Sequence, residues 1–150
     1  MSMTSFFPDL NVWFALSVEG HVHGRIAWQW MESLPSKHKL VFCRHTHLGL
    51  VRLLTNSAAM AKRVMNVADA LEVYEAWAAD PRVEFYQEPR DLSNAFRTAI
   101  QPFNKMPSSN AVADCYLMAF AKEANLVLVT LDEALKDVAK KHGYPAILLG

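Results

Sequence analysis

The chain is short of the residues that punctuate or staple a fold. It holds five glycines in 150 residues and no glycine-rich run, which excludes a phosphate-cradling nucleotide loop. Its two cysteines, Cys43 and Cys115, form no CxxC pair and sit in apolar surroundings. They read as small buried hydrophobes in a reducing compartment. Net charge is zero, so any nucleic-acid surface must be local. No apolar run reaches the ~18 residues of a membrane helix. The N-terminal stretch has no basic flank and is interrupted by Pro8, Asp9 and Asn11, unlike a signal peptide. A soluble, cytoplasmic protein without a membrane partner is expected. Acid is also missing locally. Residues 34–67 contain no Asp or Glu but carry Lys37, Lys39, Arg44, Arg52, Lys62 and Arg63. Such a stretch attracts a phosphate backbone or an acidic protein, or it is a scattered solvated face.

What is present is apolar and alternating. Hydrophobic residues make up 52%, enough for a full core in a single domain, 1–150. Short apolar runs at Ser5–Phe7, Leu40–Cys43, Val83–Tyr86, Leu126–Thr130 and Ala146–Leu149 read as strands. Helical patterns lie between them. One starts at a cap on Asn11, one covers Arg25–Leu34, and one is capped by Thr46 and buries Leu48, Val51 and Leu54. Others cover Val67–Ala79, with Leu71, Tyr74 and Trp77 inward, then Asp91–Ile100, Ala111–Ala124 capped by Asn110, and Glu133–Lys141. Strand–helix alternation of this kind predicts a parallel sheet with helices on both faces. No repeat or second domain is evident. The aromatic helices bearing Trp13, Trp28, Trp30 and Trp77 supply either core or a groove or dimer interface, and burial tendency favours core.

The stretch Ala111–Asp132 organises the chemistry. From Asp114 to Ala124 a helix climbs ~15 Å at about 1.5 Å per residue. The following strand returns ~17–20 Å at about 3.3 Å per residue. Asp132 therefore finishes near Asp114. Asp9 ends the first strand, and in an open parallel sheet ligands bind at strand C-termini. Singly, each aspartate also suits a helix start or a turn. Together they repel unless a cation lies between them, and Mg²⁺ or Mn²⁺ prefers carboxylate oxygen and water. His21-x-His23 has zinc-like spacing but no suitably spaced partner ligand. A phosphoacceptor receiver domain needs an adjacent acidic pair after the first strand, and Asp9 is flanked by Pro8 and Leu10.

PDLNVWFAL near the start, LGLVRLLTN after the second strand, ADCYLMAFA and LVTLD together resemble the PIN-domain family. More narrowly, they resemble its VapC-type ribonuclease toxins of toxin–antitoxin pairs, over nearly the whole chain. The resemblance implies an α/β/α sandwich, Mg²⁺ or Mn²⁺, and RNA cleavage leaving 5′-phosphate and 3′-hydroxyl ends. It implies a cognate VapB-type antitoxin as partner, and a homodimer is compatible with it. Asp9, Asp114 and Asp132 match the family's catalytic, metal-binding acids, with Asn11 a polar neighbour. Many members carry a glutamate where this chain has His47 or Gly49. His47 is expected to line the site. Arg52 is expected either to steer phosphate or to pair with a site carboxylate. The missing acid leaves a second reading, a catalytically degenerate PIN fold that binds RNA or a protein without cutting.

Overall fold

Ser5–Pro8 forms β1, in which successive side chains leave opposite faces and both find apolar cover, Phe6 on one side and Phe7 on the other. The computed structural model describes residues 4–150. Lys39–Phe42 (β2), Val83–Phe85 (β3), Val127–Thr130 (β4) and Ala146–Leu148 (β5) join β1 in one sheet of order β3-β2-β1-β4-β5. Every pairing is parallel. Parallel neighbours require crossovers. The helices that supply them are α1 (Leu10–Ser17), α2 (Gly24–Ser33), α3 (Arg44–Leu54), α4 (Ser57–Met60) and α5 (Val67–Ala79), then α6 (Leu92–Ile100), α7 (Ser109–Glu123) and α8 (Glu133–Lys141).

Two cores flank the sheet, giving the three layers expected. Phe7, Val41 and Leu128 pack with Leu117, Met118 and Phe120 of α7 and Leu135 of α8. Leu40, Phe42 and Val129 face the other way, onto Trp13, Leu50, Leu54 and Trp77. Phe7 stacks on Phe120 at 4.9 Å between ring centroids, and Trp13 stacks on Phe42 at 3.8 Å with Trp77 edge-on at 5.3 Å. Trp13 and Trp77 are thus core, whereas Trp28 is exposed. Both cysteines are free and buried. Among the described residues no helix is long and apolar enough to cross a membrane.

The turn between α7 and β4 is short for a definite reason. Asn125 adopts a left-handed conformation (φ 58°) that few side chains tolerate. Its N–H donates to the Lys122 carbonyl, and the Leu126 N–H donates to the Ala121 carbonyl at 2.7 Å. This closes the helix and sends the chain straight into the strand.

Several helix starts differ from the sequence reading. Asp9, not Asn11, caps α1, because its own N–H stays paired to the Val129 carbonyl while its carboxylate accepts from the Val12 N–H. α3 begins at Arg44 behind Cys43, and Thr46 sits in its first turn, donating to the Cys43 carbonyl. α7 begins at Ser109 behind Ser108, which places Asn110 inside the helix. The buried stripe of α3 is Thr46, Gly49, Leu50 and Leu54, so Leu48 falls off it and is 56% exposed. Leu71 and Val112 are likewise exposed. The one-turn helix α4, capped by Asn56, was not foreseen.

Three cations of the acid-free stretch make separate local contacts. The Lys39 ammonium donates to the Pro81 carbonyl at the end of the sheet away from Asp9. Arg44 lies over the Phe85 ring, and Arg63 donates to the Glu19 carbonyl.

Candidate active site

The strand order reverses between β1 and β4, and a crevice forms beyond the carboxyl ends of two such strands. Asp9 follows β1 directly and is 5% exposed. One oxygen, Oδ1, accepts from the Val12 N–H at 3.1 Å. The other, Oδ2, accepts a short hydrogen bond from the Thr130 hydroxyl, at the end of β4. The same hydroxyl oxygen accepts from the Asp132 N–H at 3.0 Å. Asp132 caps α8, its Oδ1 accepting from the Ala134 and Leu135 N–H groups at 2.9 and 3.2 Å. Asp114 lies in the second turn of α7, half-buried. Among the described residues its carboxylate has no hydrogen-bond partner.

The electrostatics show that the three aspartates share one region. Burial pushes the Asp9 carboxyl up to about 6, against the hydrogen bonds from Thr130 and Val12, and the charges of Asp114 and Asp132 raise it further. Burial also raises Asp114, and Asp132 adds to it. Such a group of anions is unfavourable without a cation. Among the described residues, no three His, Cys, Asp or Glu side chains close into a cage for an ion. The donors are all carboxylate oxygens, and Asp114 has no partner among the described residues. That set fits a hard divalent cation that keeps several of its waters, not a tightly enclosed zinc.

The remaining expected residues are distributed differently. Asn11 is exposed and shares a groove with Asp132. His47 does not point to the aspartates. Its ring lies 3.9 Å from that of Tyr74 on α5, and its Nδ1 is 2.8 Å from the Arg44 guanidinium. Arg52 is exposed and, among the described residues, pairs with none of the three aspartates. Its charge instead acts on His45, whose ring is 5.4 Å from Tyr116. Position 49 cannot take an acid unaided, because a Cβ there would sit 2.8 Å from Leu10 Cδ2 and force Leu10 into another rotamer. In the His21–His23 pair the Nδ1 of His21 accepts from the His23 N–H.

Residues 6–141 match the family described as PIN domain. The chain belongs to the PIN-domain family. It is 33% identical over 130 residues to ribonuclease VapC41 of Mycobacterium tuberculosis, covering 84% of this chain and 88% of that protein. Among solved structures it is similar to VapBC2 from Rickettsia felis bound to a promoter DNA fragment. That match has a TM-score of 0.70 and 11% identity, with 98% of this chain and 100% of the other covered. It is also similar to the sarcin–ricin loop cleaving toxin VapC20 of Mycobacterium tuberculosis, with TM-score 0.65, 17% identity and coverage of 93% and 95%. At these identities the structural likeness is one of fold.

The aspartate cluster contains one polar residue whose part the sequence does not show. Thr130 ends an apolar run, LVLVT, where a β-branched residue looks like strand filler. Its signal was position alone, two residues before Asp132. Being fully buried, it ties Asp9 to Asp132 through one hydroxyl. Thr130→Val leaves a buried carboxylate oxygen and the Asp132 N–H without that partner. The expected loss is about 1–3 kcal/mol of stability, measured by urea unfolding.

Proposed function

We propose that this chain is a metal-dependent endoribonuclease of the VapC toxin class, and that Asp9, Asp114 and Asp132 are its catalytic carboxylates and hold Mg²⁺ or Mn²⁺. The observation that carries the site assignment is the burial of Asp9 beside two further acids, at the crevice end of β1 and β4. The ribonuclease relatives support the activity, and PIN-domain ribonucleases generally depend on a divalent metal.

A bound ion supplies Lewis-acid polarisation of a phosphate oxygen and a lowered pKa for water. The chain's own residues do the rest. Asp9 is held rigidly by Val12 and Thr130, so its position costs no reorganisation. Among the described residues Asp114 has no competing partner, which suits it to act as a ligand. Asp132 spends Oδ1 on capping α8, and its other oxygen orients the attacking water and accepts its proton. Water adds to phosphorus and the bond to O3′ breaks, the departing O3′ taking a proton from solvent, which leaves a 5′-phosphate and a 3′-hydroxyl. A VapB-type antitoxin is the partner that restrains the enzyme, as the VapBC complexes among its structural neighbours suggest.

The test is cleavage of mixed cellular RNA by purified, antitoxin-free protein, with Mn²⁺, Mg²⁺ or chelator. Cuts that need the metal are expected. RNA that is bound but uncut with either metal favours the degenerate reading. That reading rests on the missing fourth acid and is weakened by the three aspartates that remain.

A further inference from the structure

A groove of about 560 Å³ is lined by Asn11 and Asp132 and by His21 and His23. Phe14 and Leu131 line it as well. The volume falls within the 300–1,000 Å³ typical of small-ligand sites, which admits one nucleotide. The loop carrying the histidines is fixed in place. Gly20 takes a left-handed conformation (φ 79°). The His21 N–H donates to the Val18 carbonyl at 3.1 Å, and the Gly24 N–H donates to the His21 carbonyl at 2.9 Å. The Arg63 guanidinium, from beyond α4, holds the Glu19 carbonyl.

The His21 ring is oriented as well as placed. It packs edge-on to Phe14 with centroids 5.4 Å apart. Its Nδ1 accepts from the His23 N–H at 3.0 Å, so in the neutral ring the proton sits on Nε2. Burial, then the neighbouring His23, hold its pKa below the ordinary histidine value, which favours the neutral ring. The His23 ring lies 5.8 Å from it. The result is an oriented N–H donor and two imidazole rings in a groove that Asp132 also lines.

We propose that this groove is a base-binding subsite, in which His21 and His23 read the nucleotide next to the scissile phosphate. The inference rests on the ribonuclease reading. Single-stranded RNA is recognised by unstacked bases that stack on aromatic or histidine rings and hydrogen-bond along their edges. A neutral Nε2–H selects a base edge that presents an acceptor. The presence of Asp132 in the lining favours RNA over a protein occupant, because a strand cut at the aspartates passes Asp132 and so reaches the groove that Asp132 shares with the histidines.

The experiment maps the ends of fragments cut from mixed cellular RNA by wild-type protein, His21→Ala, His21→Gln and His23→Ala, with Asp114→Asn as the blank. KM and kcat are then measured on an oligonucleotide carrying the preferred cut. Wild type is expected to prefer certain bases at one position beside the cut. His21→Ala should flatten that preference and raise KM about tenfold with kcat nearly unchanged, the size of one lost hydrogen bond. His21→Gln, which keeps an N–H donor, should restore part of the preference. The exposed His23→Ala tests the same groove should His21→Ala unfold. Unchanged base preference and KM in folded variants overturn the subsite, leave the ribonuclease intact and give the groove to a protein partner. No cutting by wild type overturns the ribonuclease reading and the subsite with it.

Discussion

Asp114→Asn is expected to lower RNA cleavage by about 10³-fold while leaving the fold intact. Losing a metal ligand removes several kcal/mol of transition-state stabilisation, and each 1.36 kcal/mol is a factor of ten. The fold should survive because, among the described residues, the Asp114 carboxylate accepts no hydrogen bond, and burial together with Asp132 disfavours its charge. The uncharged amide relieves that repulsion, so the metal-free variant should unfold at a slightly higher temperature than wild type. Cleavage rate and thermal unfolding are measured on the same preparations. A variant that loses activity and stability together would point to misfolding. A variant that keeps more than about a tenth of wild-type cleavage would remove Asp114 from the site.

The metal-free protein is expected to lose stability as pH rises from about 4 to about 6 through Asp9. Its carboxyl moves from an ordinary 3.8 to about 6 in the folded chain, chiefly by burial. Folded protein therefore holds a proton that unfolded protein has released, and stability falls wherever the native state binds more protons. A shift of roughly two units corresponds to about 3 kcal/mol, fully lost above the folded value. Other groups titrate in the same range, so the measured quantity is the difference between wild type and Asp9→Asn. Asparagine can still cap α1 but carries no charge. The unfolding free energy of wild type relative to the variant should decline from pH 4 to 6 and then level. Mn²⁺ should oppose the decline at pH 7, by about 2.7 kcal/mol at a hundredfold excess over its dissociation constant. For a chain of this length that is about 5–10 °C in Tm. A flat difference across the range would mean that Asp9 is not strained by burial.

Much of this arrangement was legible before the structure. Apolar runs and helical stripes alternate so regularly that a parallel sheet between two helical layers follows from them, and the matched rise of α7 and β4 returns Asp132 toward Asp114. The finer chemistry was not legible because it depends on phase and on hydrogen bonds between distant residues. Asp9 and Asn11 are both good caps. The choice between them is made by the pairing of the Asp9 N–H with Val129, a residue 120 positions away. On α3, Gly49 lies under Leu10 while His47 faces Tyr74, a phase that the sequence of α3 alone does not reveal. Thr130 shows its role only once β1 and β4 lie side by side.

The most direct measurement is Mn²⁺ binding at pH 7.5, followed by the paramagnetic resonance of the free ion, for wild type and Asp114→Asn. Wild type should remove Mn²⁺ from solution saturably, with Mg²⁺ competing, and the variant should bind at least tenfold more weakly. Wild-type protein that binds no Mn²⁺ at millimolar concentration, or a variant that binds it equally well, would contradict a metal site built on these three aspartates.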